Sequence, residues 1–283
     1  MQQKNKGSGR SVPGMKSVLV IAALAGISSA QASVVQFNTA GTGYSDAVAA
    51  SSAIDLRGSG FVLARPNPTD PANFLFSERG AYELTQADGL SPLGSHDITL
   101  TYSITGTVNP MTGVLSFSSG TFDLYSDATM NFGTASSNPS VVFGASDGVR
   151  IASFTISSGS GSTRGQVHLE GSANAGSILP GYFFSASGED LSRSGKLQFG
   201  VDLGNKIDAN PSPVTISELA CKASGFNGPG CNGSPYTSSP FYLLVSDGGR
   251  ATISSPVPEP SHGALFLAGL GVLGLCSRRS RQQ

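Results

Sequence analysis

The chain of 283 residues carries 17 Lys+Arg against 18 Asp+Glu, a net charge of −1, and only 12% of its residues are charged. That is half the usual share of about 25%, which argues against a basic nucleic-acid binder and against an acidic disordered tail. With 37 Gly, no Trp and 39% hydrophobic residues, the chain can bury a core and draws its polarity from Ser, Thr, Asn and Gly.

At the N-terminus, residues 18–27 read VLVIAALAGI, an apolar run with Lys16 before it and Ala30-Gln31-Ala32 after it. This is the layout of a secretory signal peptide over residues 1–32, with cleavage expected between Ala32 and Ser33. The run is too short for a permanent span, which needs roughly 20 residues at about 1.5 Å each. Met15 is a more natural start than Met1, because the first 14 residues are polar and aperiodic. Such a leader implies the Sec translocon and signal peptidase as partners.

From 33 to 255 the pattern is period two. Strands are expected over 60–64, 81–85, 98–105, 115–124, 149–156, 166–170, 196–203, 241–246 and 250–254. Ile98, Leu100, Tyr102 and Ile104 share one face, with hydroxyl residues on the other. Asn109-Pro110-Met111-Thr112-Gly113 then turns the chain into Leu115, Phe117, Phe122 and Leu124, a β-hairpin. Leu197, Phe199, Val201 and Leu203 alternate with Lys196, Gln198, Gly200 and Asp202 in the same way. No part of this region shows a sustained helical period with caps. The expectation is an all-β domain over 33–255, an antiparallel β-sandwich with jelly-roll and Ig-like topologies both open.

The stretch 205–240 is the loosest and holds Cys221 and Cys231, with nine residues between them rich in Gly, Asn and Pro. In an oxidising compartment these two should form a disulfide, worth about 2 to 3 kcal/mol for so short a loop. The region 33–255 holds 10 basic and 17 acidic residues, a net charge of −7, which disfavours anionic lipid and nucleic acid.

Motifs that carry chemistry are weak. Gly144-Ala145-Ser146-Asp147-Gly148 matches a hydrolase nucleophile elbow after Val141-Val142-Phe143, yet a strand follows where a helix should open. Asp-Gly there, and again in Ser246-Asp247-Gly248-Gly249-Arg250, reads more simply as a hairpin turn. His96 and His168 have no sequence relation to Ser146. Residues 159–165 read as a hairpin loop, lacking the Lys-Ser/Thr ending of a phosphate loop. Asp123 with Asp127, and Asp202 with Asp208, are the nearest acidic pairs, and neither forms a calcium loop. Tyr182, Phe183 and Phe184 offer ring faces for stacking on a sugar, although at least one ring of three in an extended run should be core. No catalytic residues, metal ligands or cofactor sites are expected.

The C-terminal segment 256–281 contains Val257-Pro258-Glu259-Pro260, an apolar run from Gly263 to Cys276, and the basic residues Arg278, Arg279 and Arg281. This resembles the PEP-CTERM sorting signal of Gram-negative bacteria, with the three parts in order. The two prolines keep the box extended around Glu259. The run 263–276 forms a single membrane helix of roughly 21 Å, marginal against a hydrocarbon core of about 30 Å. The arginines hold its far end in the cytoplasm. The resemblance implies transient anchoring in the inner membrane, cutting near the box by an exosortase, and release or re-anchoring at the cell surface or in an exopolysaccharide matrix. The Gly/Ser/Thr-rich strands also resemble flocculation-associated proteins of this kind. The expected function is therefore a non-enzymatic structural or adhesion protein of the envelope surface or matrix, active in aggregation, flocculation or biofilm formation. A carbohydrate-binding module is the alternative, and a hydrolase the third.

Overall fold

Alternating apolar and small polar residues build twelve strands: β1 (Ser33–Val34), β2 (Gln36–Phe37), β3 (Val48–Ala49), β4 (Ile54–Pro66), β5 (Phe74–Thr85), β6 (Asp97–Val108), β7 (Val114–Asp127), β8 (Val149–Ser162), β9 (Gln166–Ala173), β10 (Phe183–Phe184), β11 (Leu197–Ile207) and β12 (Tyr242–Ser255). They are seen in a computed structural model that describes residues 33–49, 54–162, 166–173, 176–194 and 197–255. The expected signal peptide 1–32 and the sorting segment 256–281, with its helix 263–276, lie outside the described residues.

The eight long strands pair antiparallel in chain order, β4 to β9 and then β11 and β12. The last also pairs with the first: β12 sets Ile253 opposite Phe199 of β11 and Ala251 opposite Ile54 of β4. The ladder therefore closes on itself. The all-β, antiparallel expectation stands, and the layered packing of a sandwich is sharpened into one closed sheet whose walls face a shared interior. Among the described residues, closure pairs both edges of each of the eight long strands.

The period-two pattern decides what the interior holds. Ile54, Leu56, Tyr82, Leu84, Leu100, Phe122, Leu124, Phe154 and Phe199 belong to one buried cluster. Tyr82 and Tyr102 stack with ring centroids 5.1 Å apart. Each lies over a glycine of the next strand, since a Cβ at Gly58 would meet the Tyr82 ring at 2.4 Å and one at Gly80 the Tyr102 ring at 2.6 Å, and the Tyr102 hydroxyl reaches on to Gly60 of β4. A small sheet of β10, β2 and β3 packs Phe37 and Phe183 into the same cluster, their rings stacked at 4.9 Å.

Three expectations are corrected. Residues 242–255 form one strand, not two strands around an Asp-Gly turn, because both edges of that stretch are paired. Its glycine has a packing reason: a Cβ at Gly249 would meet the Asp202 carbonyl oxygen at 2.0 Å. Residues 159–162 continue β8 rather than opening a loop, and 163–165 lie outside the described residues. Within the loose stretch 205–240, Pro213–Thr215 and Ile216–Ala223 form a continuous helical segment. Ser212 caps it by accepting the Thr215 N–H, with Pro213 in the first turn, where a missing N–H costs nothing.

Candidate functional site

The body begins and ends at one place. In the β1–β12 pair, Ser33 lies opposite Ser255 and Val34 opposite Ser254. The cut expected after Ala32 and the box expected at Val257, Pro258, Glu259 and Pro260 thus flank adjacent strand ends. Cutting at both removes no residue of the closed ladder. The box itself, Ala32, and Arg278, Arg279 and Arg281 lie outside the described residues.

A second apolar cluster covers part of the outer wall. Phe61, Ala81 and Leu244 turn outward and are buried by Phe143, Ala145, Leu219 and Ala220. The helical segment is tied there by the Cys221–Cys231 disulfide, Cα to Cα 5.4 Å. It is tied again by Glu218, 2% exposed, which accepts the Phe143 and Ser136 N–H groups and pairs with Lys222. Lys222 in turn donates to the Ser136 carbonyl oxygen at 2.9 Å. Phe143 needs this clamp, since its φ of 56° is costly for a residue with a side chain.

Residues with chemical promise at the level of sequence are dispersed. Ser146 is held inside its own loop, its Oγ accepting the Val142 N–H at 3.0 Å and donating to the Ser140 carbonyl oxygen at 3.2 Å. Val141–Phe143 is no strand, so no elbow is built. His168 lies on the outer face of β9, its Nδ1 2.7 Å from Asp202 and its Nε2 3.4 Å from Glu170. His96 meets Ser95 at 3.0 Å. Among the described residues no group of three or more His, Cys, Asp or Glu is placed to hold a metal.

The aromatic trio is a correction. Tyr182, Phe183 and Phe184 are 8%, 0% and 5% exposed, so none of these rings offers a face to a sugar. Phe183 stacks on Phe37, and Phe184 meets the edge of Tyr44. The pairing of β10 with β2 is what draws them in.

The end of the barrel away from Ser33 and Ser255 is hollow. A cavity of about 260 Å³ lies there, lined by Val62, Ala64, Phe76, Val108, Leu115 and Val245 among others, with Glu78 and Asn205 in its wall and Asn109 in the turn at 109–113, where its Oδ1 is occupied by the Met111 and Thr112 N–H groups. The same two residues line a smaller void below it. Tyr102 donates its hydroxyl to Glu78 Oε1 at 2.8 Å, while Asn205 Oδ1 is buried without a hydrogen-bond partner. A larger depression of about 530 Å³ lies by the outward residues Leu63, Arg65, Leu75 and Ser77. Among the described residues no buried unpaired polar atom lines it.

Residues 256–281 match the family model of the PEP-CTERM protein-sorting motif. No curated protein and no solved structure matches the chain. Among the described residues no helix is long and apolar enough to cross a membrane. The match falls on the segment beyond β12 that holds the Pro-Glu-Pro box, the apolar run and the arginines, and this motif indicates export and processing by an exosortase at the cell envelope.

Proposed function

We propose that the protein is a non-enzymatic component of the envelope surface or extracellular matrix, delivered as a finished barrel and working there in adhesion or aggregation. The observation that carries this reading is the sorting motif placed directly after a strand whose end pairs with the first residues of the body. Sec export and signal peptidase remove the leader, the run 263–276 anchors the chain in the inner membrane for the time of processing, and the exosortase cuts near Glu259.

The outer wall suits a hydrated polymer. Thr105 on β6 shares hydrogen bonds with Ser118 and Ser119 on β7 at 3.1 and 2.8 Å, and hydroxyls of this kind replace ions across the hairpin. Hydroxyl-rich, weakly charged strands exchange hydrogen bonds with exopolysaccharide without the counter-ion cost of a charged face.

Replacing Pro258, Glu259 and Pro260 together by alanine should leave a cell-bound form whose intact mass still includes Arg281. Wild-type mass and location in that variant would refute the sorting step. Deleting the gene should reduce aggregation and biofilm mass, and unchanged values would refute the adhesive role.

A further inference from the structure

We propose that the hollow end of the barrel binds one small, largely apolar molecule carrying a single hydroxyl group, an alcohol or a phenol, with that hydroxyl at the level of Glu78 and Asn205. This goes beyond the adhesive reading and does not depend on it. An eight-stranded barrel has an interior just wide enough to be filled by side chains or to hold one small ligand. This barrel does both, one at each end. The cavity of about 260 Å³ equals the liquid volume of roughly nine waters at about 30 Å³ each, smaller than a drug-sized pocket.

The lining selects the ligand's body. Val62, Ala64, Val108 and Val245 are short side chains, while Phe74 and Phe76 supply flat apolar surface. Around the mouth, Met111, Val114, Ile207 and Phe241 stay 91%, 53%, 55% and 47% exposed, an apolar rim on an otherwise hydroxyl-rich molecule. Such a rim lowers the cost of drawing an apolar solute out of water.

The polar pair selects its head. Asn205 Oδ1 is a buried acceptor with nothing to accept, and leaving it so is unfavourable. Glu78 is supported by one hydroxyl, from Tyr102, whose approach depends on Gly60 and Gly80: a Cβ at either would lie within 2.5 Å of that oxygen. Burial pushes the Glu78 carboxyl above the usual carboxylate range, against the opposing pull of the Tyr102 hydrogen bond. Where that carboxyl holds its proton, it has one O–H to donate. A ligand hydroxyl accepts that proton's hydrogen bond and donates its own to Asn205, so both groups are satisfied at once. A hydrocarbon leaves Asn205 unpaired, and a carboxylate brings a second acid beside Glu78.

The test is calorimetric titration of the protein as the cell delivers it, purified without detergent, with 4-ethylphenol, ethylbenzene and 4-ethylbenzoate. Saturable binding of one 4-ethylphenol per chain is expected, with the other two at least about tenfold weaker. Val245→Phe fills the cavity and should abolish binding with the circular dichroism of the barrel retained. Asn205→Leu should keep ethylbenzene binding and lose the preference for the phenol. Absence of saturable 4-ethylphenol binding, equal affinity for phenol and hydrocarbon, or unchanged binding in a folded Val245→Phe would each overturn the proposal. Should Val245→Phe not fold, the Asn205→Leu preference decides alone.

Discussion

The two ends of the barrel share the same eight strands and the same alternation, yet one is solid and the other hollow. Near the chain ends the inward positions are Leu100, Phe122, Leu124, Phe154, Leu197 and Phe199, each 0% exposed. At the far end the short Val62, Ala64, Val108 and Val245 alternate with Phe74, Phe76 and Leu115, and Glu78 and Asn205 lie between them. Backbone closure fixes the width of the interior, and side-chain volume alone then decides whether it is filled. The solid end is also the end at which the first and last strands of the body pair, Ser33 opposite Ser255.

Mutations can break or sharpen that contrast. Phe199→Ala at the solid end should cost about 3 to 5 kcal/mol in denaturant unfolding, while Val62→Ala, which trims a wall already facing a void, should cost about 1 kcal/mol or less. Equal losses would erase the distinction. Outside the barrel, Glu218→Ala removes the carboxylate partner of Lys222 and leaves two backbone N–H groups unpaired, and should cost about 3 kcal/mol by the same measurement. Replacing Cys221 and Cys231 by serine should cost about 2 to 3 kcal/mol, loosening the helical segment rather than the ladder.

Smaller still are the pH effects, which differ in kind at the two sites. Glu78 holds its proton more tightly folded than unfolded, so it contributes stability fully present below its ordinary value of 4.5 and lost as pH rises through the raised folded value. Glu78→Gln should flatten that part of the stability profile. On the outer wall, the hydrogen bond to Asp202 raises His168, with Glu170 adding to it. Its contribution is present below 6.5 and fades as pH rises through the folded value, a small loss that His168→Gln should remove. A stability profile unchanged by both substitutions would contradict these assignments.

Much of the barrel was legible strand by strand. Ile98 to Ile104 and Leu197 to Leu203 announce their inward faces by alternation, and the sorting box announces itself by composition and order. Closure was not legible, because β12 pairs with β4 across nearly the whole chain and nothing local records it. The glycines at 248 and 249 read as a turn, since from sequence a residue that admits a close neighbour looks like one that bends the chain. Ser212-Pro213 was a readable helix start, masked by the Pro- and Gly-rich residues around it. The aromatic trio misled because its burial depends on β2, some 145 residues earlier. The site at Glu78 left one trace: Phe74, Phe76, Gly80, Tyr82 and Leu84 continue a period of two through it, which places a carboxylate on an apolar face.

The central claim, one barrel packed at the end where its first and last strands pair and hollow at the other, is tested most directly by methyl NMR under xenon pressure. Xenon enters dry apolar cavities and shifts the methyls that line them. The account predicts saturable shifts for Val62, Val245 and Leu115, and none for Leu100, Leu124 or Leu197. Shifts spread over both sets, or absent from both, would contradict it.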